Sequence, residues 1–162
     1  MSLPQLIPIS FRWIFFTHTF TNVPRGSYRA VLRMSVVDVS WMDHYASATI
    51  KIFWNDTKGD GERRTEIKAH EWKEICDRVK TLEEGTYISL RGASLCDYDP
   101  QTGWFDLYLE EFTVSGGGDT GGGTDVTFEF KDILNFWWVS GMRWDYVELR
   151  PMDWFRYKPI GE

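Results

Sequence analysis

Three strand-like segments, one amphipathic helix and two further strand-like segments follow one another between Tyr28 and Val114. That β-β-β-α-β-β order is what a small closed barrel requires, with the helix as a plug at its floor. At 162 residues the chain has room for one domain of ordinary size plus an appendage. The fold class expected is all-β: mainly strand, with a single amphipathic helix.

Tyr28 to Trp41 reads as a long first strand. Ala30, Leu32, Met34 and Val36 alternate with Arg29, Val31, Arg33 and Ser35, and the apolar parity then slips to Val37, Val39 and Trp41, as a bulge would make it. In the second strand Ala48, Ile50, Ile52 and Trp54 read as inward, and Thr49, Lys51 and Phe53 as outward. Asn55 to Glu62 is a turn-rich hairpin loop. Arg63 to Ala69 follows as a third strand with Arg64, Glu66 and Lys68 on its polar parity. From His70 to Leu82 the period becomes helical: Trp72, Ile75, Cys76 and Val79 share a face, and Glu84-Gly85 ends the segment. Thr86 to Leu95 reads as the fourth strand, with Gly92 allowing a bend. Trp104 to Val114 reads as the fifth, with Phe105, Leu107 and Leu109 inward against Trp104, Asp106 and Tyr108.

Three segments flank this unit. Residues 1–27 form an aromatic-rich arm, with five rings between Phe11 and Phe20, which is expected to pack on the barrel as an extra strand. Pro4, Pro8, Arg12 and His18 make it too broken for a transmembrane helix, and it lacks the basic start and small-residue cleavage site of a signal peptide. Residues 115–124 hold six glycines and read as a flexible linker. Residues 125–162 carry ten aromatic rings, too many to stay solvated. Val126, Phe128 and Phe130 alternate as in a strand, Ile133 to Trp138 could make one helical turn, and the whole reads as a β extension. It packs on the barrel or docks on another chain, which allows a homo-oligomer or a protein partner through residues 125–162.

The formal charge of −6 argues against coating duplex DNA by bulk electrostatics, and neither residues 1–115 nor residues 116–162 are basic. Cys76 and Cys96 have no CxxC spacing and no His cluster beside them, so no metal site or disulfide framework is expected; a reducing intracellular compartment, cytoplasmic or nuclear, is. His18, His44 and His70 fall in an arm, a turn and a helix start, with no nucleophile elbow nearby. The acidic pairs Asp97/Asp99 and Asp56/Asp60 sit in turns, where such residues usually cap the backbone. The glycine run has no phosphate-loop Lys-Ser or Lys-Thr after it. The chain is therefore expected to bind without catalysis, with no cofactor and no membrane partner.

Leu82-Glu83-Glu84-Gly85-Thr86-Tyr87-Ile88-Ser89-Leu90-Arg91-Gly92-Ala93, followed about ten residues on by a Gly-aromatic strand, resembles the second half of OB domains in replication protein A and telomere-end-binding proteins. The resemblance covers residues 28–114 and implies an OB-type five-stranded barrel, closed or partly open, that takes single-stranded DNA or RNA. Stacking on aromatic side chains supplies sequence-tolerant energy in such binders, so positive charge need only line a groove. From the outward parities, the nucleic-acid-binding residues expected are Arg29, Arg33, Lys51, Phe53, Arg64, Lys68 and Arg91, with Tyr98 and Trp104 supplied by the loop between strands four and five. The alternative is an assembly subunit whose aromatic tail holds another protein.

Overall fold

Alternation of large apolar and polar side chains decides which way each strand faces. The structure is a computed structural model that describes residues 15–36, 47–56, 59–116, 123–133 and 142–160. In chain order it holds β1 (Phe15–Val23), β2 (Gly26–Val36), β3 (Ser47–Asp56), β4 (Gly59–Lys68), α1 (Ala69–Val79), β5 (Thr86–Leu90) and β6 (Ala93–Cys96). There follow β7 (Trp104–Tyr108), β8 (Phe112–Val114), β9 (Thr124–Ile133), β10 (Met142–Pro151), a 3-10 turn (Met152–Trp154) and β11 (Lys158–Pro159). The class is mainly β with one helix. No helix among the described residues is long and apolar enough to cross a membrane.

The strands make two sheets. One has the order β1-β9-β3-β4; the other runs β10-β2-β7-β6-β5-β11, with β8 also paired to β2. Their inner faces share one core. Ile50, Ile52 and Trp54 of β3 and Val126, Phe128 and Phe130 of β9 meet Leu32 and Met34 of β2, Phe105 and Leu107 of β7, and Trp144 and Val147 of β10. The helix adds Trp72, Ile75 and Val79 to it. Each large side chain so buried contributes about 1.5 to 3 kcal/mol relative to exposure. The alternation expected in β3 is present: Ala48, Ile50, Ile52 and Trp54 are buried, while Thr49, Lys51 and Phe53 are half-exposed.

Several local expectations are corrected. The fourth strand is a hairpin: Leu90 pairs with Ala93, and Arg91 and Gly92 carry φ of 56° and 82°. Positive φ at both central residues is the turn whose twist matches two right-handed strands. The fifth strand is two, β7 and β8, both laid along β2. The hairpin expected as a loop over Asn55 to Glu62 keeps its ladder through Asn55 and Asp60 to Asp56 and Gly59. The parity slip at Val37 to Trp41 and the helical turn after Ile133 lie outside the described residues, as does most of the glycine run. Its end is strand, not linker: Thr124 is buried in β9, and a Cβ on Gly123 would lie 2.2 Å from the Asn22 backbone. β2 and β3 share no ladder among the described residues, and β9 lies between β1 and β3.

Candidate functional site

The side of the seven-stranded sheet that faces away from the core carries a connected set of arginines, carboxylates and aromatic rings. Register builds it. Ser35 lies between Arg143 and Trp104, Arg33 between Tyr146 and Asp106, and Val31 between Glu148 and Tyr108, while Arg29 sits opposite Arg150. β6 continues the rows, with Cys96 beside Asp106 and Ser94 beside Tyr108. A bulge between Trp144 and Tyr146 shifts the parity of β10, so that Arg143, Tyr146, Glu148 and Arg150 all reach this face.

Asp106 is the hub. Its side chain is 3% exposed and takes Arg33 at 2.8 Å and Arg150 at 3.5 Å. Burial raises its carboxyl above the usual value, against the pull of both guanidiniums. Arg150 also donates to Glu148, to the Tyr108 hydroxyl and, at 3.0 Å, to the Tyr146 hydroxyl. Although burial disfavours its charge, Glu148, Tyr108 and Asp106 together hold the Arg150 proton more tightly than usual. The buried Tyr108 phenol is pushed up to about 12. Burial, and then Asp106 and Asp97, raise the Cys96 thiol, and a thiol kept protonated is a poor nucleophile.

Guanidiniums lie on rings across the same face. Arg29 is 4.7 Å from the Phe155 centroid and 5.6 Å from that of Tyr108; Arg150 is 5.3 Å from Tyr108, and Arg143 is 5.1 Å from Trp104. Each such contact is worth about 0.5 to 2 kcal/mol, more as water is excluded. The C-terminal segment covers part of this surface. Phe155 packs on Tyr87 and Tyr108 at 5.2 and 5.1 Å, and the Tyr157 hydroxyl donates to Asp97. β11 secures it by parallel bonds to β5, Lys158 N–H to Gly85 O and Ile160 N–H to Tyr87 O. For that reason Tyr108, expected to face solvent, is buried in a second cluster with Val31 and Cys96; Asp106, also expected to face solvent, is buried between Arg33 and Arg150.

Two open clefts flank Arg150. The larger, about 630 Å³, lies between Arg33, Tyr98 and Tyr146, and Glu83, Glu84 and Asp97 rim it. The smaller, about 440 Å³, is walled by Tyr108, Tyr157 and Trp154 with Glu148 and Arg150.

The nine residues expected to line one groove are divided. Arg29, Arg33 and Trp104 stand on this face, and Tyr98 is at the larger cleft. Lys51, Phe53, Arg64 and Lys68 stand on the outer face of the four-stranded sheet, with Lys51 directly opposite Arg64 and Lys68 at the start of α1. There Glu62 lies 3.8 Å from both Lys51 and Arg64, and Lys51 is 4.8 Å from the Phe53 centroid. Arg91 belongs to neither face: its turn conformation places it 2.6 Å from Glu71, which also accepts the Lys68 N–H. Sequence reading missed Asp106, Arg143, Tyr146, Glu148 and Arg150. The one signal for the last four is the strand-like run around Trp144 to Val147, and the bulge hides their common side.

No family model matches the chain, and neither does any curated protein. Among the described residues no group of three or more His, Cys, Asp or Glu is gathered as a metal site.

Proposed function

We propose that the protein binds single-stranded DNA or RNA, without catalysing a reaction, on the outer face of its seven-stranded sheet. The observation that carries this reading is the row of arginines set against rings on one sheet face: Arg29, Arg143 and Arg150 on Phe155, Trp104 and Tyr108, with Arg33 between them. Bases stack on rings and on guanidinium planes, and phosphates meet the cations, which is the chemistry of sequence-tolerant single-strand binding. A net charge of −6 does not exclude it, because stacking supplies sequence-tolerant energy and positive charge need only line the groove. Glu83, Glu84 and Asp97 repel phosphate from one rim of the larger cleft, so the backbone of a bound strand runs on the β10 side. An OB-type reading of residues 28–114 belongs to this proposal and is supported by the place of α1 between the β3–β4 hairpin and β5. So does a reducing intracellular compartment.

One observation favours a second reading, an assembly subunit that docks on another protein through residues 125–162: Trp154 and Ile160 are exposed near the C-terminus. Titration with a single-stranded oligonucleotide at two salt concentrations, following Trp emission, separates the two. Saturable quenching that weakens with salt is expected for the first reading. No response, together with a mass above the monomer in solution, overturns it in favour of the second.

A further inference from the structure

Trp154 is 64% exposed, whereas Trp72 and Trp144 of the same chain are buried. An indole in water at the wall of a cleft offers an apolar ring face to a ligand. It is not loose. Trp154 ends the 3-10 turn, the Phe155 N–H donates to Met152 O at 3.2 Å, and Phe155 is pinned on Arg29, Tyr87 and Tyr108. The backbone on either side thus holds the indole at the wall of the smaller cleft.

That cleft, about 440 Å³, offers three chemistries to one occupant. Trp154 supplies an open ring face. Arg150 supplies a cation whose direction is set by Glu148 and by the hydroxyls of Tyr108 and Tyr146. Glu148, with a side chain 41% exposed, supplies a carboxylate that only accepts hydrogen bonds. A quaternary ammonium would want the same rings, but Arg150 already lies over Tyr108 and repels a second cation. A planar ring that bears a phosphate and an exocyclic amine suits all three groups.

Resting on the reading above, we infer that the smaller cleft is a single-nucleotide subsite: one base stacks on Trp154, its phosphate meets Arg150, and Glu148 accepts from its exocyclic amine. Cytosine, with its N4 amine, is favoured over thymine, whose O4 presents an acceptor to the carboxylate. The site sits at the C-terminal edge of the arginine face and shares Arg150 with the larger cleft, so it marks where one end of a bound strand lies.

The test uses the full chain and two oligonucleotides of equal length, oligo-dC and oligo-dT, against the wild type, Trp154→Ala, Trp154→Phe and Glu148→Gln. Because Trp154 is exposed, both Trp154 variants keep the wild-type melting temperature. The expected result is a loss of about fivefold to a hundredfold in oligo-dC affinity for Trp154→Ala, the range for one lost base stack. Trp154→Phe retains most of the affinity, and Glu148→Gln narrows the preference for dC over dT. If the wild type binds oligo-dC and Trp154→Ala binds it equally well, the subsite is overturned while the arginine face stands. If the wild type binds neither oligonucleotide, both readings fall together.

Discussion

On the outer face of the four-stranded sheet, Lys51 and Arg64 share Glu62 at 3.8 Å, and the Glu62 and Arg64 side chains are about half in water. On the outer face of the seven-stranded sheet, Asp106 is 3% exposed between two arginines that are 22% and 21% exposed. The first arrangement is a solvated lattice of alternating charge whose pairs each contribute between nothing and about 1 kcal/mol. The second is a fixed network in a drier setting, where geometry is set before any ligand arrives. Fixing the donors in advance is what lowers the ordering cost of binding. Two faces with similar numbers of cations therefore differ in what they can do, and the difference comes from what covers them. Phe155 and Tyr157 pack over part of one face, while the Glu62 and Arg64 side chains of the other stand about half in water.

The sharpest way to break this comparison is Asp106→Asn. Removing the buried carboxylate leaves Arg33 and Arg150 without their common partner, and the expected cost is about 2 to 4 kcal/mol of unfolding free energy in a denaturant titration, below the value for fully buried pairs because both arginines keep some water. A loss under about 0.5 kcal/mol would mean that this network is as solvated as the Lys51–Glu62–Arg64 set.

A smaller effect belongs to His18, which lies on the inner side of the four-stranded sheet edge-on to Phe20 and whose Nε2 is buried without a hydrogen-bond partner. Burial lowers its pKa below the ordinary 6.5. A histidine held neutral in the folded state loses stability as the unfolded chain takes up its proton, so stability is full above pH 6.5 and declines as pH falls toward the lowered native value. The melting temperature measured across that window should fall for the wild type and fall less for His18→Gln; equal slopes would remove His18 as the cause.

The smallest effect is expected at Glu62→Gln, which dissolves the ion pairs on the four-stranded face. Its unfolding free energy should stay within about 0.5 kcal/mol of the wild type. A larger loss would show that the two faces are built alike.

What could be read in advance follows the same division. β3 and β9 announce themselves because each has one face in the core and one in water, so Ile50, Ile52 and Trp54, or Phe128 and Phe130, alternate plainly. The seven-stranded sheet is covered on both sides where Phe155 and Tyr157 lie, and there the rule that polar parity means exposure fails at Tyr108; it fails at Asp106 because Arg33 and Arg150 close over the carboxylate. No local pattern around Tyr108 reveals a cover supplied by Phe155 and Tyr157, far along the chain. The turn at Arg91 and Gly92 is hidden because strand-forming residues run through it and an arginine rarely adopts positive φ. The bulge at β10 conceals Arg143 and Arg150 as partners, since a period of two places them on opposite faces.

The central claim is that the fixed arginine face, and not the solvated one, meets a single strand. The direct measurement is the salt dependence of affinity for one oligonucleotide, compared between the wild type, Arg143→Ala and Lys51→Ala. Arg143 lies over Trp104 and donates to Ser35 and Thr102 at the margin of the face, away from Asp106, so its loss spares the buried network. Each lost phosphate contact lowers the slope of log K against log salt by about 0.7 for single strands. The account predicts that drop for Arg143→Ala and an unchanged slope for Lys51→Ala. A drop for Lys51→Ala with none for Arg143→Ala would contradict it and move the site to the four-stranded sheet.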